Sequence, residues 1–163
     1  MELRHWTQAD AMELTSLCNA VDRRFLSDRL PNPYTEKDAK EWLKMVTDND
    51  TMTGIYRAIV CDGELIGSIS VEKKNDDAEI GYMLLNEYTN KGIATEAVKQ
   101  ICTIAFKVLS LEQIIANVFQ PNIASMRVLL KNDFKYKGVI PNAVIKDGNV
   151  YDLLIYVLTV NSN

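Results

Sequence analysis

The chain has 163 residues, a net charge of −4 and a pI of about 5.1, and its Lys and Arg residues are interleaved with acids, so no basic stripe offers a nucleic-acid surface. Hydrophobic residues make up 47% and charged residues 25%, which excludes a disordered chain. No apolar run approaches the ~20 residues that span a bilayer, and Met1–His5 lacks the start of a signal peptide, so a cytoplasmic protein away from membranes is expected.

Residues 1–163 read as one domain, with no repeat, low-complexity stretch or flexible linker. Glu2–Trp6 reads as the first strand. Thr7-Gln8-Ala9-Asp10 resembles a capping box, and Leu14, Leu17, Cys18 and Val21 follow at helical spacing. Two prolines in Ser27–Tyr34 make a loop, after which Thr35-Glu36-Lys37-Asp38 repeats the start signal. Ala39, Trp42, Leu43 and Val46 then mark the buried face of a second helix.

At Thr53 the pattern changes. Gly54–Cys61 and Glu64–Lys73 are rich in β-branched residues and joined by Asp62-Gly63, a hairpin signal. With a turn at Asn75-Asp76-Asp77 and a strand at Ala78–Leu85, residues 53–85 form an antiparallel meander. Ala94, Ala97, Val98, Ile101, Ile104, Ala105 and Val108 line the third helix, and Ile114–Val118 is a short strand. The fourth helix is Asn122–Asn132, with Ile123, Met126, Leu129 and Leu130 expected to face inward. Phe134–Ile140 and Val150–Val160 are the last strands, around a turn at Asp147-Gly148. The order β-α-α-β-β-β-α-β-α-β-β implies an α/β (α+β) fold, a mixed sheet with helices on it and a parallel crossover through the third helix.

Chemistry concentrates where the strand ending at Leu85 leads through a loop into the third helix. The first turn of a helix carries N–H groups without intrahelical partners, at the positive end of the macrodipole, which suits an anion. Gly92 and Ala94 remove bulk where a diphosphate approaches backbone, and Lys91 adds positive charge.

Three segments then carry a resemblance: Ala78-Glu79-Ile80-Gly81-Tyr82, Lys91-Gly92-Ile93-Ala94-Thr95-Glu96-Ala97 and Asn122-Ile123-Ala124-Ser125-Met126-Arg127. In this order and at these distances they resemble the GNAT superfamily of N-acetyltransferases, particularly the branch of the ribosomal-protein N-terminal alanine acetyltransferases. Leu3-Arg4 and Leu30-Pro31-Asn32-Pro33-Tyr34 fit the N-terminal half of that branch, so the likeness covers nearly the whole chain. Two positions depart from it: Thr89 stands where the family loop begins with Gln or Arg, and Asp133 replaces a glycine. Asp tolerates the left-handed conformation, so the second turn is expected to persist with some strain.

The resemblance implies acetyl-coenzyme A as cosubstrate. Its pantetheine arm would pair with backbone groups of Met83, Leu84 and Leu85, and its diphosphate would lie on the N–H groups of Asn90, Lys91, Gly92, Ile93, Ala94 and Thr95. Asn122 would cap the fourth helix, bind the pantetheine arm or acceptor, or do both. Ser125 would assist the departing thiolate, or else serve as a first-turn serine bonded to Asn122. Glu79, on a strand face with Gly81, Met83 and Leu85, is a candidate base or a solvated acid, and Tyr156 a proton donor or a core aromatic. The acceptor is an amine, held by the first two helices, their loop and the 141–149 loop; the protein would act as a monomer or homodimer. A non-catalytic acyl-coenzyme-A sensor is the alternative, separable by turnover.

No metal is expected, because no Cys, His or carboxylate cluster has metal-ligand spacing. Cys18, Cys61 and Cys102 are expected as buried thiols, Cys102 lacking the partner His that a covalent acyl-cysteine route needs.

Overall fold

The computed structural model describes residues 1–160. Its elements follow the expected order: β1 (Glu2–Arg4), α1 (Ala11–Ala20), α2 (Glu36–Asn49), β2 (Gly54–Cys61), β3 (Glu64–Lys74), β4 (Asp77–Leu84), α3 (Ile93–Leu109), β5 (Gln113–Phe119), α4 (Ile123–Lys131), β6 (Lys135–Lys146) and β7 (Asn149–Thr159). Short 3-10 turns at Gln8–Asp10 and Asn86–Tyr88 precede α1 and α3. The strands form one sheet in the order β1-β2-β3-β4-β5-β7-β6. All its pairings are antiparallel except β4 with β5.

Local chemistry explains the turns. At Asp62-Gly63 both residues have positive φ, 51° and 81°, the type I′ geometry whose twist matches the flanking strands. Asp147-Gly148 repeats it between β6 and β7. Thr7 and Thr35 both form capping boxes, with Asp10 and Asp38 as the reciprocal acids.

The sheet separates two apolar layers. On one face α1 and α2 bury Leu14, Leu17, Leu43 and Val46 against Tyr56, Ala58 and Val60. On the other, α3 buries Ala97, Val98, Ile101 and Ala105 against Ile55, Ile69, Ile80 and Ile114. The α4 helix packs on α3 and β5 at the edge of this second layer.

Three expectations need correction, on the first strand, on the outward positions of α4 and α3 and on the 141–149 segment, and a fourth, on Asp133, is met. The first strand stops at Arg4, because Trp6 turns into the α2 layer and meets Trp42 edge to face at 5.4 Å. In α4 Leu129 is fully buried, but Ile123 and Leu130 are each 56% exposed, and Val108 of α3 is also exposed. The segment 141–149 is not a loop: β6 continues to Lys146, and Pro141 fits because β6 is an edge strand with an irregularity between Ile140 and Val144. Asp133 does adopt the left-handed conformation, φ 63°, where Phe134 N–H returns to Leu129 C=O at 3.1 Å.

Candidate functional site

The parallel pairing of β4 with β5 consists of one register pair, Glu79 with Ile115. Each strand is fully paired on its other side, β4 with β3 and β5 with β7. Beyond that pair the two strands diverge and leave a wedge lined by backbone. Leu85 N–H donates to Ile66 C=O at 2.9 Å. By the alternation of an antiparallel ladder, Leu84 therefore turns its N–H and C=O toward the wedge, whereas Met83 and Leu85 bond to β3. Unpaired backbone at such a place suits an extended polar ligand that completes the ladder.

The wedge leads to the start of α3. Asn90 and Gly92 have positive φ, 58° and 78°, and Gly92 is the N-cap. A Cβ at Gly92 would meet no protein atom within 4 Å, so within the protein itself glycine is required there by its φ. The first intrahelical bond runs from Glu96 N–H to Gly92 C=O at 3.1 Å. The N–H groups of Ile93, Ala94 and Thr95 thus point out of the helix end without intrahelical acceptors. Lys91 lies with its ammonium 5.5 Å from the Tyr88 ring centroid, beside this end. Thr89 bonds back to Asn86 C=O through its hydroxyl at 2.7 Å, which stabilises the turn. Asn132 closes the arrangement from α4, donating to Thr95 C=O at 3.1 Å and so fixing the first turn of α3.

At the mouth of the wedge, Asn122 caps α4 by accepting Ser125 N–H at 3.2 Å. The Ser125 hydroxyl sits 2.6 Å from the Tyr82 phenol. Sequence reasoning passed over Tyr82, although the alternation of 78–84 signals it: Ala78, Ile80, Tyr82 and Leu84 share the face that packs on the α3 layer. Burial pushes the Tyr82 phenol up to about 12, so it keeps its proton at neutral pH.

Glu79 projects from the other face of β4, where its carboxylate is 2.7 Å from the Lys74 ammonium. The structure therefore sets Glu79 and Ser125 on opposite faces of the sheet. Tyr156 is a core residue, 5% exposed and edge to face with Tyr136. Burial raises the Cys102 thiol to about 12, which removes its nucleophilic form. His5 pairs with Asp50 at 3.1 Å, away from the wedge. Among the described residues no group of three His, Cys, Asp or Glu side chains is placed to hold a metal ion.

Beside the wedge, the segment linking α1 to α2 meets the β6–β7 hairpin. Lys146, itself buried, donates to Leu26 C=O and approaches Asp28 at 3.5 Å. Phe25 packs edge to face on Phe119, which stacks on Tyr151. The elements expected to wall an acceptor groove are thus brought together, although the second wall is a hairpin.

Comparison with known proteins gives three findings. The model of the acetyltransferase (GNAT) domain matches residues 1–135. An uncharacterized N-acetyltransferase of Bacillus subtilis (strain 168), YoaA, is 38% identical over 96 residues, a match that covers 57% of this chain and 54% of YoaA. Among solved structures, RimL, a ribosomal L7/L12 alpha-N-protein acetyltransferase in complex with coenzyme A, superposes with a TM-score of 0.86 at 18% identity, covering 99% of this chain and 94% of RimL. The ribosomal-protein-S5-alanine acetyltransferase of Vibrio fischeri gives 0.83 at 21% identity, covering 98% and 92%. These two likenesses are of fold.

Proposed function

From a chain that belongs to the GNAT acetyltransferase family, we propose an enzyme that transfers the acetyl group of acetyl-coenzyme A directly to a primary amine. The observation that carries this reading is the wedge between β4 and β5, which opens onto the bare N-terminus of α3. Of the Met83–Leu85 segment only Leu84 turns backbone to the wedge, and its C=O accepts from a pantetheine amide, while Met83 and Leu85 backbone is held by β3. The N–H groups around Asn90–Thr95 and the Lys91 ammonium hold the diphosphate. Leu84 N–H is the donor for the tetrahedral oxyanion, since it faces the wedge. Glu79 receives the amine's proton from one side of the sheet, and Ser125 meets the leaving thiolate from the other.

The acceptor is a protein N-terminus or a small amine, received between the α1–α2 segment and the β6–β7 hairpin. RimL and the Vibrio fischeri enzyme, named for acetylating ribosomal proteins, favour the first class by fold alone. No helix among the described residues is long and apolar enough to cross a membrane. We place the reaction in the cytoplasm, in a monomer or homodimer formed from one domain.

The test is binding followed by turnover. Acetyl-coenzyme A at about one molecule per chain should raise the melting temperature, and an amine panel should release free thiol. Ala94→Asp, which sets a carboxylate where the diphosphate lies, should abolish the thermal shift while leaving the folded circular dichroism spectrum intact. Normal binding by Ala94→Asp would refute the diphosphate assignment, and binding without thiol release would identify a sensor.

A further inference from the structure

We propose that Tyr82 is the positioning residue for Ser125, donating its phenolic hydrogen to the Ser125 hydroxyl so that Ser125's own hydrogen is aimed at the departing thiolate. This rests on the acetyl-transfer reading and adds to it a residue that recognition of the loop does not supply.

The two oxygens lie 2.6 Å apart, a short hydroxyl contact that fixes a hydrogen bond but not its direction. Chemistry selects the direction. Tyr82 comes from β4 with its ring packed against the apolar layer under α3, so its hydroxyl has Ser125 as the polar partner within reach. A phenol is the more acidic of the two hydroxyls and its ring-conjugated oxygen the poorer acceptor, so the pair is favoured with Tyr82 donating and Ser125 accepting. A phenol pushed up by burial stays protonated throughout, which keeps it a donor. Ser125 is held at the start of α4 by its N–H bond to Asn122, so its hydroxyl has little freedom beyond rotation. With one lone pair occupied by Tyr82, that rotation is restricted to directions away from the phenol, which leaves Ser125's own hydrogen free to donate elsewhere. Tyr82 and Ser125 therefore join β4 to α4 across the place where the acetyl thioester must sit.

The step balances simply. The amine nitrogen bonds to the acetyl carbon and the carbon–sulfur bond breaks. Glu79 takes the proton lost by nitrogen and releases it to solvent, and the thiolate, held by the Ser125 hydrogen bond as it departs, takes a proton from solvent. Tyr82 and Ser125 supply hydrogen bonds and finish the reaction with the protons they began with.

The experiment compares wild type with Tyr82→Phe, Ser125→Ala and the double variant. Tyr82→Phe keeps the ring and its packing. It should lower kcat by about 5–10-fold, the worth of one hydrogen bond, with KM for acetyl-coenzyme A within about twofold. The double variant should be no slower than Ser125→Ala, because Tyr82 acts only through Ser125. A thioester donor with a more acidic thiol should shrink both deficits, since its thiolate needs less help. In the free protein each single change should lower Tm by about 2–4 °C, and the double change by less than their sum. Wild-type kcat in Tyr82→Phe, or a deficit that multiplies in the Ser125→Ala background, would overturn the proposal while the acetyl-transfer reading stood. Wild-type protein that binds no acetyl-coenzyme A and releases no thiol would overturn both.

Discussion

Asp10 accepts hydrogen bonds from Arg4 at 3.0 and 3.1 Å and from Thr7 N–H at 2.8 Å, joining β1 to the start of α1. Burial by itself would raise this carboxyl, but the Arg4 and Thr7 bonds outweigh it and hold it below the usual Asp value. The sign of the pH effect follows. The stabilisation is complete above the unfolded carboxyl value of about 4 and is lost as pH falls through the lower folded value. Asp10→Ala should cost about 1–2 kcal/mol in urea unfolding at pH 7, and the gap from wild type should narrow at pH 3. An equal gap at both pH values would show that Asp10 stabilises by packing alone. The capping box itself was legible, since Thr and Asp stand three apart before an apolar stripe. The Arg4 partnership was not, because it depends on where β1 runs.

The fourth helix shows what spacing leaves open at the scale of an element. Ile123, Met126, Leu129 and Leu130 share a helical pattern, yet Leu129 carries the burial and its neighbour Leu130 lies 56% exposed. A nine-residue helix at the edge of a layer touches α3 and β5 along a narrow line, and the line is chosen by the neighbours. Leu129→Ala should therefore cost about 2–5 kcal/mol, whereas Leu130→Ala should fall within about 0.5 kcal/mol of wild type. Thermal unfolding of the pair checks this, and similar losses in both would contradict the orientation of α4. In α3 the middle of the predicted Ala94–Val108 stripe, Ala97, Val98, Ile101 and Ala105, is buried because a long helix across the middle of a sheet buries a broad face, while Val108 at its end is exposed.

Across the whole molecule, function depends on a sheet that is continuous on both sides of a gap. β1–β4 and β5–β7 are each continuously paired apart from bulges in β2–β3 and β6–β7, and one register pair joins the two parts. Acetyl-coenzyme A bound there should slow amide exchange at Leu84 and at Ile93–Thr95, with β2 unchanged. Exchange that slows everywhere by the same factor would indicate global stabilisation with no ligand in the wedge.

The residues by themselves determined the order of elements, the meander with its Asp-Gly turn, the long third helix and the loop that begins it. Those signals are local: turn chemistry, caps and periodicity act within a few residues. The likeness of three segments to one family rested on the same local strings. The tertiary structure decided the rest. It set Glu79 and Ser125 on opposite faces, carried β6 through Pro141 as an edge strand, and turned Leu84 rather than Leu85 to the wedge. It also brought Tyr82 to within 2.6 Å of Ser125, 43 residues away in the chain. Register, pairing side and helix docking depend on contacts between distant residues, and no local pattern encodes which of two faces a neighbour will cover.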